Sequence, residues 1–114
     1  MASAIHEIQL SWAKGNQIVR VSNDEAVIRT ASARINPRNV SKSTHNTVEF
    51  PYLAVEEDDD VDESDMIDMN VWLLTDGDNI PYNFNNDDYD VAYACSFVHD
   101  GKQYHVYYQF VADE

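Results

Sequence analysis

Apolar and polar positions alternate along much of this chain, and alternation of period two predicts strands. Ile8, Leu10 and Trp12 are separated by single polar residues, Lys14-Gly15-Asn16-Gln17 has turn chemistry, and Ile18-Val19-Arg20-Val21 follows. With Gly15-Asn16 as a two-residue turn, Trp12 falls opposite Val19 and Leu10 opposite Val21, so the pattern predicts a hairpin with one apolar face. Ser22-Asn23-Asp24-Glu25 then has the S-x-x-E form of a helix capping box. Val27, Ile28, Ala31 and Ile35 follow at helical spacing, with Pro37 beyond them. This predicts a short amphipathic helix over 24–35 that turns Arg29 and Arg34 outward.

The second half reads as strands throughout. Thr47 to Val55 (TVEFPYLAV) is rich in β-formers, and Pro51 within it predicts an edge strand or a bulge. Ile67, Met69, Val71 and Leu73 alternate with Asp68, Asn70 and Trp72, a half-buried strand with its polar side outward. Asp76-Gly77-Asp78-Asn79 supplies a turn, and Ile80-Pro81-Tyr82-Asn83-Phe84 comes after it. With Asp100-Gly101 as a tight turn, Phe97 pairs with Tyr104, Cys95 with Val106, Tyr93 with Tyr108 and Val91 with Phe110 on one face. Ala92, Ala94 and Ser96 take the other face with Gln109, Tyr107 and His105. The expectation is one α+β domain over 1–114: a mostly antiparallel sheet of five to seven strands with one short helix packed on one face.

Charge changes the picture more than composition does. The 114 residues carry a formal net charge of −14. Residues 1–55 hold six Lys/Arg and four Asp/Glu, whereas residues 56–114 hold a single Lys, Lys102, and seventeen Asp/Glu. No Lys or Arg occurs between Lys42 and Lys102. The densest stretch, EEDDDVDESDMID over 56–68, places nine carboxylates in thirteen positions: Glu56, Glu57, Asp58, Asp59, Asp60, Asp62, Glu63, Asp65 and Asp68. Asp76, Asp78, Asp87, Asp88, Asp90 and Asp100 add charge in later loops and turns. Such a surface repels nucleic acid and anionic membrane and attracts a basic partner. The competing reading of an acidic run is a solvated, solubilising loop.

Candidate chemistry is sparse. An EF-hand frame begun at Asp58 puts Glu63 at its sixth position and Met69 at its twelfth, where glycine and glutamate are required. Cys95, His99 and His105 form a trio for zinc only if the last hairpin's register is ignored, because Cys95 and His105 fall on opposite faces. Cys95 in an apolar strand reads as a packed thiol, and His6, His45, His99 and His105 lie at no interpretable catalytic spacing. The expectation is a protein that is not an enzyme and uses no metal or cofactor. A lone cysteine, an N-terminus interrupted by His6 and Glu7, and no apolar run of membrane-spanning length point to a cytoplasmic chain used as it stands.

Thirteen extended residues span at most about 43 Å, one carboxylate per ~5 Å. A DNA strand presents a phosphate about every 3.4 Å. On this charge density the chain resembles the small acidic DNA-mimic proteins, which occupy the nucleic-acid site of nucleoid proteins, repressors, restriction enzymes or CRISPR effectors. The resemblance rests on EEDDDVDESDMID and the later aspartate clusters. It implies a basic DNA-binding protein as partner, no direct nucleic acid, and a monomer or small homo-oligomer. Trp72, on the strand's polar side beside Asp68 and Asn70, is either an exposed interface anchor or a residue covered by the helix. Two alternatives are an immunity protein that neutralises a basic toxin such as a nuclease, and a calcium-binding structural module.

Overall fold

The computed structural model describes residues 3–13, 15–35, 49–81 and 90–111. The described residues form seven strands: β1 (Ser3–Gln9), β2 (Gln17–Val21), β3 (Val27–Ile35), β4 (Glu49–Asp58), β5 (Ile67–Thr75), β6 (Ala92–His99) and β7 (Lys102–Phe110). They form two antiparallel sheets, one of order β1-β4-β3 and one of order β2-β5-β7-β6. A single 3₁₀ turn, Glu63–Asp65, lies between β4 and β5. Inward residues of both sheets share one core, with Leu53, Val55, Val71, Val21 and Val106 at its fully buried centre. The sheets approach each other along β3 and β6.

The expected α+β architecture is therefore corrected to an all-β one: no α-helix occurs among the described residues, and two sheets replace one. The helix over 24–35 is strand β3, and its apparent helical spacing has a physical origin. Ile28 pairs with Val55 and Thr30 with Ala54, so Arg29 is an extra residue in a β-bulge. The bulge shifts the inward positions from Ile28 to Ala31, three apart, after which Ala33 resumes period two. A bulged strand thus imitates one turn of a helix. The capping-box residues serve a turn instead. Ser22 is buried and its Oγ accepts the Asp58 N–H at 3.2 Å, while Asn23 Oδ1 accepts the Glu25 N–H at 2.9 Å.

The expected hairpin of the first two strands is also overturned. β1 pairs with β4 and β2 with β5, so the chain changes sheets between Gln9 and Gln17. Leu10, Val19 and Val21 still enter the core, which satisfies the apolar pattern without the pairing. Trp12 fastens the crossing: its Nε1–H donates to the Glu49 carbonyl at 2.8 Å, and its ring stacks on His99 with centroids 4.7 Å apart. Pro51 occupies the central strand of its sheet and is fully buried, contrary to the edge expected of it. Its carbonyl accepts the Leu10 N–H at 2.8 Å. In an antiparallel strand a residue's N–H and C=O point to the same neighbour. The missing donor therefore faces the end of β1, where pairing stops at Gln9 and Tyr52.

In the last hairpin Phe97 pairs with Tyr104 and Cys95 with Val106, as the alternation predicts. Asp100 and Gly101 both have positive φ, 52° and 77°, as a type I′ turn demands. Beyond Cys95 a bulge at Ala94 puts Tyr93 opposite Tyr107 and Ala92 opposite Tyr108. Tyr93 thereby leaves the core face and is 51% exposed. Leu53 lies at the middle of β4 and is wholly enclosed. Leu53→Ala is expected to lower unfolding free energy by about 2–5 kcal/mol in urea titration.

Candidate functional site

The topology gathers the acidic run at one end of the molecule. β2 ends there at Val21 paired with Ile67, β4 ends there at Asp58 paired with Ser3, and β7 ends there at Phe110 paired with Met69. The β2–β3 turn with Asp24 and Glu25, the β4–β5 connection, and Asp90 ahead of β6 accordingly share this end. The run is not one extended row of charges. Glu56, Glu57 and Asp58 complete β4, residues 59–66 reverse the chain, and Asp68 lies in β5. The spacing of one carboxylate per about 5 Å along an extended segment is replaced by a compact cluster.

Backbone hydrogen bonds hold the cluster in shape. The Asp60 N–H donates to Asp58 Oδ1 at 3.0 Å and the Asp65 N–H to the Asp62 carbonyl at 2.8 Å. Arg20 on β2 donates from one guanidinium nitrogen to the carbonyls of Glu63, 3.2 Å, and Met66, 3.4 Å. The Val111 N–H donates to the Asp68 carbonyl at 2.9 Å, tying the far side of the connection to the end of β7.

Strand pairing also returns cations to this end from the first half of the chain. Arg29 donates to Glu56 Oε2 at 2.9 Å, and the Arg20 Nε lies 3.8 Å from Asp68 Oδ1. His6 on β1 reaches two carboxylates, Glu57 Oε1 at 3.0 Å and Asp59 Oδ1 at 3.3 Å. Both carboxylates raise the His6 pKa above its ordinary value of 6.5, the Glu57 hydrogen bond most strongly. Glu57 is 8% exposed, and its second oxygen, Oε2, is buried with no hydrogen-bond partner. Asp60, Asp62, Glu63 and Asp65 are exposed and enter no ion pair among the described residues. They form the uncompensated face of the cluster.

The remaining candidates fall elsewhere. Asp76 and Asp78 stand at the opposite end, beyond the last residue of β5. Asp76 Oδ1 lies 3.1 Å from His105 Nε2, and Asp78 Oδ2 accepts from both the backbone N–H and the hydroxyl of Thr75. Asp87 and Asp88 lie outside the described residues. Trp72 is 4% exposed and is no surface anchor; it is packed in the sheet opposite Tyr107, and no helix covers it among the described residues. A cavity of about 370 Å³ opens beside it, lined also by Asn16, Leu74, Asn79 and Pro81, remote from the acidic end.

For zinc, the trio Cys95, His99 and His105 is dispersed: His99 pairs with Glu49 and His105 with Asp76. Burial pushes the Cys95 thiol pKa up, which suppresses the thiolate. No three His, Cys, Asp or Glu side chains converge as a metal site among the described residues. None of the helical structure there is long and apolar enough to cross a membrane.

Sequence reasoning missed the cations, since Arg20, Arg29 and His6 lie far from the acidic run along the chain. It also counted Glu57 as solvated. Its inward position was legible, because Glu57 shares period-two parity with Leu53 and Val55. Arg20→Gln is expected to destabilise the protein by about 1 kcal/mol, read by urea unfolding, through loss of the Glu63 and Met66 contacts. Raising sodium chloride from about 0.01 to 0.15 M shortens the screening length from about 30 to 8 Å. The melting temperature is expected to rise with it, as repulsion within the acidic end is screened.

Comparison with protein-family models, with characterised proteins and with solved structures finds no match to this chain.

Proposed function

We propose that this chain is a non-enzymatic inhibitor that binds a basic DNA-binding protein and occupies its nucleic-acid site with carboxylates in place of phosphates. The observation that carries this reading is the exposed set Asp60, Asp62, Glu63 and Asp65, which enters no ion pair among the described residues and lies in a hydrogen-bonded connection at one end of the two-sheet fold. Asp58, Asp59 and Asp90 extend the surface at the same end, and Glu56, Glu57 and Asp68 support it from within ion pairs. Trp72, Asp76 and Asp78 drop out of the binding surface, because the first is buried and the others lie at the opposite end.

The physical case is one of preorganisation. A fixed cluster of like charge has already met the repulsion among its members during folding, so a cationic groove gains attraction without first ordering a loop. Displacing counterions from that groove adds the same salt-dependent contribution that favours nucleic acid. Exposed pairs are individually weak, which requires that several act together. A cytoplasmic location suits a partner that handles nucleic acid and belongs to this proposal.

The quadruple variant Asp60→Asn, Asp62→Asn, Glu63→Gln and Asp65→Asn is expected to weaken partner capture from host lysate by at least about tenfold. Asp76→Asn with Asp78→Asn, at the far end, is expected to leave capture unchanged. Duplex DNA and high salt are both expected to release the captured protein. A partner that neither DNA nor the quadruple variant displaces overturns the mimic and favours a specific protein contact of the immunity type.

A further inference from the structure

We propose that His6 is a proton-operated latch that fixes the acidic turn after β4 to the rim of β1. Nδ1 of His6 lies 3.0 Å from Glu57 Oε1 and Nε2 lies 3.3 Å from Asp59 Oδ1. A carboxylate only accepts, and a neutral imidazole has one N–H. Both contacts are hydrogen bonds at once only when the ring carries two protons. Loss of one proton leaves a bare ring nitrogen facing a carboxylate oxygen, and one of the two contacts becomes repulsive.

The two carboxylates are unequal, which decides the contact that fails. Glu57 is almost fully buried in β4, its other oxygen already lacks a partner, and strand pairing with Ala4 keeps it in place. Asp59 is exposed and lies in the turn. The remaining ring proton therefore stays on Nδ1 for Glu57, where an unsatisfied buried carboxylate is most costly. Asp59 is the group released.

Among the described residues, the other charged groups on the elements beside His6 are engaged elsewhere or exposed. Glu7 points to the other face of β1 and pairs with Arg34, and Glu56 points outward from β4 and pairs with Arg29. The sheet across the core ends in apolar Val21 and Ile67. Asp24 and Glu25 of the β2–β3 turn are exposed, and the Asp58 backbone is held by Ser22. Glu57 and Asp59 are the charges that hold the His6 proton. Because they raise the pKa in the folded chain, the stabilisation is complete below the unfolded value of about 6.5 and fades as pH rises through the folded midpoint. The latch holds in mildly acidic solution and opens on the alkaline side. It is a property of this turn alone, independent of any partner.

The test is an NMR pH titration of the full chain that follows the His6 ring and the exchange of the Asp59 and Asp60 amides. The His6 midpoint is expected above 6.5, and amide exchange, corrected for its intrinsic pH dependence, is expected to accelerate through that same midpoint. Asp59→Asn is expected to lower the midpoint. Asp62→Asn, an equal change of charge with no contact to His6, is expected to move it much less. Equal shifts in the two variants overturn the latch in favour of a general field at this end, as does an exchange profile without inflection at the His6 midpoint.

Discussion

The arrangement depends on the period-two alternation of β4. As the centre of its sheet this strand is paired on both sides, so its register admits no slip, and Pro51, Leu53, Val55 and Glu57 must all face inward. The first three build the core. The fourth carries the apolar face into the acidic run one residue pair too far and buries a carboxylate. That burial demands a donor, and His6, inward on the adjacent β1, supplies it. The boundary between core and charge is thus drawn within one strand, and the geometry of the acidic turn begins there.

The contrast between a slightly basic first half and a strongly acidic second half does not survive folding as a contrast between two surfaces. Antiparallel pairing sets β1 and β3 against β4, and β2 against β5, so Arg29, Arg20 and His6 lie among the carboxylates. The inner members of the acidic run are compensated in place. Of its turn residues Asp59 pairs with His6, whereas Asp60, Asp62, Glu63 and Asp65 enter no ion pair among the described residues, and the uncompensated charge is concentrated there. This is a narrower surface than the full run of nine carboxylates implied.

Strand content and the last hairpin were legible in the sequence because alternation and the Asp100-Gly101 turn agreed with each other. What was not legible came from two single-residue insertions and one change of sheet. Arg29 and Ala94 each add a residue to one strand, and periodic reasoning has no local sign for such an addition. In β3 the bulge produced helical spacing over Val27 to Ile35, reinforced by a Ser22-to-Glu25 stretch whose side chains suit a turn as well as a cap. For the first two strands, Leu10 and Trp12 looked like partners of Val21 and Val19, since burial in a shared core and pairing in a hairpin leave the same apolar pattern. The acidic end was visible as composition. Its compensation was not, because it depends on which strands pair.

The same two bulges have a bearing on how the protein behaves in bulk. β3 and β6, the bulged strands, are the sheet edges that run beside each other. β1 is also a sheet edge, is seven residues long, contains no bulge, proline or lysine, and presents Ile5 at 61% exposure. Of the features that discourage a second molecule from adding to such an edge it carries charge alone, in Glu7 and His6. Long-range repulsion between chains of net charge −14 adds to that protection. Protection of this edge therefore rests on charge, and β1 starts at the acidic end itself, where Ser3 pairs with Asp58 and Ile5 with Glu56. Near the isoelectric point of about 4.3 the net repulsion is withdrawn, and β1, a sheet edge among the described residues, loses that part of its protection.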